Sequence, residues 1–125
     1  MTKPHPPITV TVTEAQIKSG SDTGMAAVTL YENEAVIYSI EAGARKSYRY
    51  KNPTGSAFKL EVRDPPNQHA LVSLKLIDDF NLEVTMKPNK VWSGGKATLY
   101  FDPKGSVAPP PGLDPTISNG GVRGG

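Results

Sequence analysis

A two-residue alternation of apolar and polar side chains recurs along this chain in short runs. It is clearest over residues 8–13, where isoleucine and valine alternate with threonine. Successive side chains of a β-strand point to opposite faces, and β-branched residues favour strands, so this run predicts a half-buried strand. The phase slips at Ala15 and Ile17, which we interpret as a bulge or strand end near Glu14. The chain is expected to fold mainly as β-structure.

Further alternating or apolar segments follow at intervals of roughly 8 to 12 residues, separated by turn-forming residues. These segments are residues 25–31, 35–40, 45–51, 58–62, 70–77, 82–86 and 91–103. The first two are expected to form a hairpin across residues 32–34, two of which are glutamates, with one bent strand as the alternative. Segment 70–77 has apolar residues in both phases, which favours burial on both faces. Gly94 and Gly95 are expected to form a turn. Roughly seven to nine short strands without an amphipathic helix favour an all-β sandwich.

Proline and glycine, 12 of each, concentrate at the two ends of the chain. This placement predicts an N-terminal arm over residues 1–7, a β-sandwich domain over residues 8–103 and a Pro/Gly-rich C-terminal arm over residues 104–125. The C-terminal arm carries spaced apolar residues in a segment too short to build its own core. It is therefore expected to dock on another subunit, and deletion of residues 106–125 is expected to leave a folded body.

Composition excludes several classes of function. The 125 residues include no cysteine, which removes disulfides and thiolate metal sites, and a net charge of +2 argues against nucleic acid as the default partner. The longest apolar run falls short of the roughly 20 residues that span a bilayer, and the N-terminal region has no signal-peptide pattern. The expected location is the surface of a virion or the cytoplasm.

Residues that could carry chemistry are few and widely spaced. His5 and His69 stand 64 positions apart, and neither has a ligand-spaced partner, although Asp64 is near His69 in sequence. Asp78 and Asp79 suggest a turn more than a calcium cage, which needs several oxygen ligands around a glycine. No serine lies in a nucleophile motif, and the glycine-bounded residues 20–24 lack the lysine of a phosphate loop. No catalytic, metal or cofactor residue is predicted.

One strand combines basic and aromatic residues. Arg45 and Arg49 alternate with Tyr48 and Tyr50, so that the tyrosines are expected to face the core and the arginines water; tyrosines facing outward would make a binding patch. Trp92 is expected to cap the core, with an interface anchor as the alternative. The candidate partner-binding residues are Val107, Leu113, Ile117, Val122, Arg123, Trp92, Arg45 and Arg49.

Two stretches taken together resemble a known family. Residues 48–62, YRYKNPTGSAFKLEV, and residues 82–103, LEVTMKPNKVWSGGKATLYFDP, resemble the immunoglobulin-like domains of the major-sperm-protein and pilus-chaperone kind. Asn52 and Gly55 correspond to the first turn of that pattern, whereas Ser93 departs from the proline usual before the second glycine turn. The resemblance implies an immunoglobulin-like antiparallel β-sandwich that is non-catalytic and adds surface or strand edges to a larger assembly.

The expected function is therefore that of a non-enzymatic structural subunit. The setting that fits a compact sandwich with two arms is a viral capsid, such as that of a phage, decorated by a small cement protein that docks through its terminal arm and sandwich loops. Its partners are expected to be proteins, including further copies of itself. The alternatives are a carbohydrate- or peptide-binding accessory module that uses Trp92 and the tyrosines as a stacking platform, and a cytoplasmic scaffold.

Overall fold

The computed structural model describes residues 5–61 and 68–122, of which 45% lie in strands and 14% in helices. The mainly β architecture that the alternation predicted is confirmed. The helices are α1 (Glu14–Ser19) and α2 (Gln68–Leu71), with single 3-10 turns at Ala42–Ala44 and Thr54–Ser56. The strands within the described ranges are β1 (Ile8–Val12), β2 (Val28–Tyr31), β3 (Ala35–Ile40), β4 (Tyr48–Tyr50), β5 (Phe58–Leu60), β6 (Val72–Asp78), β7 (Asn81–Met86), β8 (Gly94–Leu99), β9 (Phe101–Pro103) and β10 (Thr116–Gly121).

Within residues 5–61 and 68–122, two four-stranded sheets and one two-stranded ribbon make up the fold. The first sheet has the strand order β1-β3-β7-β6, the second has the order β2-β10-β8-β5, and β4 pairs with β9. Apolar side chains of both large sheets join one continuous core, including Val36 and Val84 from the first sheet and Leu30 and Ile117 from the second. Burial of these faces removes apolar surface from water and stabilises the arrangement.

Two of the strand pairs are parallel, which corrects the expectation of a purely antiparallel, immunoglobulin-like arrangement. β1 runs parallel to β3 and β10 runs parallel to β2, whereas β10 with β8 and β3 with β7 are antiparallel. A parallel pair needs a crossover connection in place of a tight turn. Here α1 and β2 form the crossover between β1 and β3. Alternation identifies a strand but carries no information about the direction of its neighbour.

The hairpin predicted between residues 25–31 and 35–40 is wrong. β2 belongs to the second sheet and β3 to the first, so Glu32–Glu34 carry the chain from one sheet to the other. Asn33 adopts a φ of 66° in this crossing, a conformation that asparagine tolerates better than most residues. Its backbone N–H donates to the carbonyl of Met86 at 2.7 Å. A short charged connection is compatible with either geometry, and only the pairing partners distinguish them.

The phase change near Glu14 is a strand end and not a bulge, because β1 ends at Val12 and α1 begins at Glu14. Thr13 Oγ1 accepts the backbone N–H of Gln16 at 3.2 Å, and Gln16 Oε1 accepts the backbone N–H of Thr13 at 2.9 Å. These reciprocal bonds form a capping box, which satisfies two backbone donors at the start of α1. Gly20 ends the helix in the left-handed conformation, with a φ of 69°. The helix buries Ile17 in the core.

The predicted C-terminal arm, residues 104–125, contributes the last strand of this chain's own second sheet. β10 lies between β2 and β8 and pairs with both. Leu113 and Ile117 are fully buried, and Leu113 exchanges backbone hydrogen bonds with Leu99 at 2.7 and 3.0 Å. The expectation of an arm separate from the folded body is therefore corrected, because these apolar residues complete the core of the same chain.

The N-terminal arm, expected over residues 1–7, falls within the description from His5 onward. His5–Pro7 are exposed and lead directly into β1. The backbone N–H of His5 donates to the carboxylate of the buried Glu34 at 3.1 Å. The described part of this segment therefore lies beside the crossing between β2 and β3.

Three further features bear on the sequence predictions. Tyr48 and Tyr50 point into the core, as the alternation predicted. β6 is an outer strand of the first sheet, and its Lys75 and Ile77 are exposed, so the expectation of burial on both faces is wrong. Gly94 starts a strand rather than a turn, with a φ of 137°.

Candidate functional site

The most exposed large apolar side chains of the described residues are found at one end of the two sheets. Val91 is 69% exposed and Val122 is 76% exposed, against 48% for Ile77 and 43% for Ile8. Val91 belongs to the connection between β7 and β8, and Val122 directly follows β10. We call this region the end surface and define it as Glu32, Lys87, Pro88, Asn89, Lys90, Val91, Asn119, Gly121 and Val122.

An open cleft of about 330 Å³ lies on the end surface. Three separate parts of the chain form its walls, namely the crossing between β2 and β3, the connection between β7 and β8, and the end of β10. The backbone N–H of Glu32 donates to the carbonyl of Gly121 at 2.8 Å, which ties the first of these parts to the third. The cleft is near the lower limit of the volumes that are usual for small-ligand pockets.

Asn119 connects the end of β10 to the connection between β7 and β8. Its Nδ2 donates to the carbonyl oxygens of Asn89 and Trp92 at 3.2 and 2.9 Å. Its Oδ1 accepts the backbone N–H of Gly121 at 2.9 Å, and its own backbone N–H donates to the carbonyl of Ser93 at 2.9 Å. The Asn119 side chain therefore fixes two of the three walls of the cleft. Because these walls are already ordered, binding at the cleft costs little conformational entropy of the backbone.

Asn89 holds the connection between β7 and β8 from within. Its Nδ2 donates to the carbonyls of Lys87 at 2.8 Å and Leu71 at 3.3 Å, and its Oδ1 accepts the backbone N–H of Trp92 at 3.2 Å. Trp92 is only 5% exposed and belongs to the core. The buried indole of Trp92 anchors the connection between β7 and β8 to the core, and the neighbouring Val91 is exposed to solvent.

The end surface also carries charged side chains of both signs. Lys87 and Lys90 add positive charge and Glu32 adds negative charge. Lys87 Nζ donates to the carbonyl of His69 at 2.5 Å, which holds this cation against α2. Exposed apolar side chains next to charges of both signs are a composition found in protein–protein contacts.

The structure separates the arm residues that the sequence proposed for partner binding. Leu113 and Ile117 are fully buried in this chain's core, and Val107 is half-buried and packs against the core. Val122 is exposed on the end surface. Arg123 lies outside the described residues. Of the described arm residues that the sequence proposed, Val122 alone is mostly exposed.

The two arginines proposed for binding occupy different environments. Arg45 Nε donates to the carbonyl of Ile40 at 2.9 Å, and its guanidinium lies 5.2 Å from the centre of the Phe80 ring. Lys104 Nζ stands at the same 5.2 Å distance from that ring. Arg45 therefore supports its own fold, through a hydrogen bond and a cation–π contact. Arg49 is exposed on β4.

The residues of the proposed stacking platform are buried. Tyr48 and Tyr50 are almost fully buried, and Trp92 belongs to the core. Trp92 therefore caps the core, as the first of the two sequence readings predicted. A ring that stacks on a sugar or on an extended peptide needs an exposed face, and none of these three side chains presents one.

The sequence candidates for metal binding are not brought together in the described part of the chain. His5 and His69 are exposed, Asp64 falls outside the description, and no group of three or more potential ligands occurs within residues 5–61 and 68–122. Asp78 begins a turn, where its carboxylate accepts the backbone N–H of Phe80 at 2.8 Å and the side chain of Asn81. Partial burial opposes the ionisation of Asp78, but these hydrogen bonds and the charge of Arg45 outweigh it and lower the pKa of the carboxyl.

Comparison with known proteins assigns no family to this chain. No family model matches it, and no curated protein shows significant similarity to it. None of the helices in the described ranges is long and apolar enough to cross a bilayer.

Sequence reasoning missed Val91, Asn89 and Asn119. The sequence pattern places Val91 in a strand segment, but Val91 directly precedes the anchored Trp92, and successive side chains of an extended backbone point in opposite directions. Asn119 is followed by two glycines, a pattern that marks irregular backbone where an amide side chain finds local partners. Neither signal identifies the long-range partner, which the fold supplies.

Proposed function

We propose that this chain is a non-enzymatic structural subunit, a β-sandwich that docks on a protein partner through its end surface and decorates a large multi-copy assembly. A viral capsid is the setting that we propose. The observation that carries the proposal is the high exposure of Val91 and Val122, which exceeds that of the other large apolar side chains of the described residues. Val122 lines a preformed cleft, and Val91 directly follows Lys90, another lining residue of that cleft.

Burial of these two valines would supply a substantial part of the docking free energy. A valine side chain that passes from full exposure to full burial contributes roughly 1.5 to 3 kcal/mol. The hydrogen bonds of Asn89 and Asn119 already hold the surrounding backbone, so the entropy lost on docking is small. The end surface thus has the properties of an anchor on a rigid support.

A protein partner fits the end surface better than a nucleic acid does. Its charged residues include both signs, with Glu32 opposing Lys87 and Lys90, and its exposed side chains include two aliphatic residues. Phosphate recognition needs a concentration of positive charge, whereas protein contacts combine an apolar centre with a mixed rim.

The experiment compares two exposed apolar sites of the same chain. We would replace Val91 and Val122 together by aspartate, with Ile77→Asp as the matched control because Ile77 is also exposed but lies on β6, away from the end surface. Tagged full-length chains, produced in the native host, would be followed on a density gradient together with virus particles. We expect the wild type and Ile77→Asp to sediment with the particles. We expect the amount of the double variant in the particle fractions to be lower by at least about tenfold.

Two results would overturn the proposal, and they have different meanings. If the wild-type chain sediments with no particle, the capsid setting is wrong. If the double variant sediments as the wild type does while its circular dichroism shows a native fold, the end surface is not the docking site.

A further inference from the structure

The outer strands of the two large sheets differ in charge. β6 carries the exposed residues Lys75 and Asp78, and β5 carries the exposed Lys59. β1 and β2, with the sequences ITVTV and VTLY, carry no charged side chain. Each large sheet therefore has one charged outer strand and one uncharged outer strand.

The two uncharged strands lie on the same side of the molecule and border one cleft of about 370 Å³. We call this region the uncharged side and define it by its lining, residues Ile8–Thr11 and Gly24–Thr29. None of these ten residues is charged, although 26 of the 125 residues of the chain are Lys, Arg, Asp or Glu. Ile8 is 43% exposed here, and Ala26 and Ala27 are exposed beside it.

An outer strand without charge is open to pairing with another strand. The free backbone N–H and C=O groups of a sheet edge form hydrogen bonds with any extended chain that reaches them, and proteins usually prevent this with lysine, proline or a bulge on the edge. β6 and β5 have such lysines. β1 has none within its five residues, and its register with β3 is continuous over all five pairs from Ile8 to Val12. β1 is therefore a regular edge without a blocking feature.

We infer that the uncharged side is a self-association surface, on which β1 pairs antiparallel with β1 of a second copy of this chain around a two-fold axis at Val10. The pairing would join two first sheets into one continuous sheet of eight strands, four from each copy. An isologous contact of this kind closes on itself and gives a dimer. The inference goes beyond the proposed docking function, because the end surface and the uncharged side share no residue.

The sequence of β1 is complementary to itself in this register. With Val10 on the axis, Ile8 faces Val12 of the second copy, and Thr9 faces Thr11. Apolar residues then meet on the face that turns towards the core, and threonines meet on the outer face. Cross-strand pairs of β-branched residues and of threonines stabilise antiparallel sheets.

Electrostatics selects a second copy over a charged partner. A charged side chain laid against the ten uncharged lining residues would lose water without gaining an ion-pair partner, which is unfavourable. β1 itself brings no charge to the contact. The partner that the uncharged side fits is thus a short, uncharged, β-branched strand, and this chain contains one at that position.

The length of β1 limits the strength of the contact. Pro6 and Pro7 precede the strand and have no backbone N–H to donate, and α1 begins two residues after its end. Pairing is therefore confined to about five residues, or roughly 17 Å. We expect a weak dimer whose population rises with protein concentration.

The test measures the dimer of the full-length chain by sedimentation velocity over a range of concentrations. In the double variant Thr9→Lys/Thr11→Lys, each introduced lysine faces a lysine of the second copy, and we expect the dimer to weaken by about tenfold or more. In Thr9→Lys/Thr11→Glu, opposite charges face each other across the two-fold axis. We expect this variant to form the dimer more strongly than the double-lysine variant does. Ser73→Lys, on the exposed face of β6, is the matched control and should leave the dimer unchanged. The unfolding midpoint of each variant checks that the monomer fold is intact.

Several results would overturn the inference. One is a wild-type chain that stays monomeric at every concentration, which would leave the cleft to a different protein strand. Another is a dimer that persists in Thr9→Lys/Thr11→Lys, and a third is a Thr9→Lys/Thr11→Glu variant that stays as monomeric as the double-lysine variant. Val91→Asp/Val122→Asp should dimerise as the wild type does, so that failure of the docking proposal and failure of this inference are distinguishable.

Discussion

Two tyrosine hydroxyls in the core differ in their hydrogen bonding. Tyr50 Oη donates to the backbone carbonyl of Tyr38 at 2.7 Å. Tyr38 Oη is fully buried and has no hydrogen-bond partner within the described part of the chain. Burial raises the pKa of both hydroxyls, so both stay neutral. One hydroxyl therefore stabilises the fold while the other has lost its hydrogen bonds to water without replacement.

This difference predicts opposite effects of the same substitution at the two positions. Tyr50→Phe removes a buried hydrogen bond, and we expect it to lower the free energy of unfolding by about 1 to 2 kcal/mol. Tyr38→Phe removes only an unpartnered hydroxyl, and we expect it to leave the free energy of unfolding unchanged or to raise it by up to about 1 kcal/mol. Urea unfolding measures both. A larger loss from Tyr38→Phe than from Tyr50→Phe would contradict the assignment.

Sequence and structure agree on the orientation of single residues more than on their partners. The alternation in residues 45–51 placed Tyr48 and Tyr50 on the core face, and both are buried. The same pattern says nothing about Tyr50 stacking on Phe101, with ring centres 5.1 Å apart. The orientation of Tyr50 follows from the local pleat of its own strand. Its stacking partner Phe101 lies on β9, which is distant in sequence.

Among the elements, α1 shows how a local signal can be masked by a neighbouring pattern. The sequence from Thr13 to Gln16 has the spacing of a capping box, and the structure forms both of its hydrogen bonds. The alternation over residues 8–13, followed by the phase change at Ala15 and Ile17, predicts a bulge or a strand end here and no helix. The helix places Gly20 against Pro111 and Gly112, where a Cβ would come within 2.8 Å of Pro111 Cγ. The short helix thus contacts the segment that leads into β10.

The capping box gives a prediction at this scale. Thr13→Ala removes the acceptor for the Gln16 backbone N–H, and we expect the free energy of unfolding to fall by about 1 kcal/mol. Thr13→Ser keeps the hydroxyl and should retain most of the stability. The measurement is chemical denaturation followed by far-ultraviolet circular dichroism. Equal losses of unfolding free energy in the two variants would show that the methyl group of Thr13, and not its capping hydroxyl, contributes the stability.

β10 is the element that the sequence concealed most completely. Its glycines and the prolines before it predict an extended arm that docks on another subunit, but Gly120 lies under Tyr31, where a Cβ would come within 2.6 Å of the ring. Gly94 lies similarly close to Ser118, with 2.8 Å left for a Cβ. Glycine is needed here because backbone and side chains approach closely, a requirement that composition does not separate from flexibility.

For the whole molecule, the position of β10 reverses the expected effect of truncation. Deletion of residues 106–125 removes the strand between β2 and β8 together with the fully buried Leu113 and Ile117. Truncation of one buried leucine or isoleucine to alanine already costs about 2 to 5 kcal/mol, and small domains have only about 5 to 15 kcal/mol of stability in total. We expect the truncated chain to be unfolded, as circular dichroism and urea titration would show.

A shorter deletion is the control for this prediction. Removal of residues 123–125 leaves every described strand in place, and the free energy of unfolding should stay within about 0.5 kcal/mol of that of the full chain. If deletion of residues 106–125 left a cooperatively folding monomer, β10 would not be an essential part of the core.

The sequence by itself determined where most strands lie and which of their faces are apolar, because the alternation of side chains is a property of each strand alone. Only the tertiary structure decided which strands pair, in which direction, and that β10 completes this chain's own second sheet. Strand pairing depends on backbone hydrogen bonds between distant segments, and every residue except proline offers the same donor and acceptor. The cleft on the end surface and the uncharged side at β1 arise from that pairing.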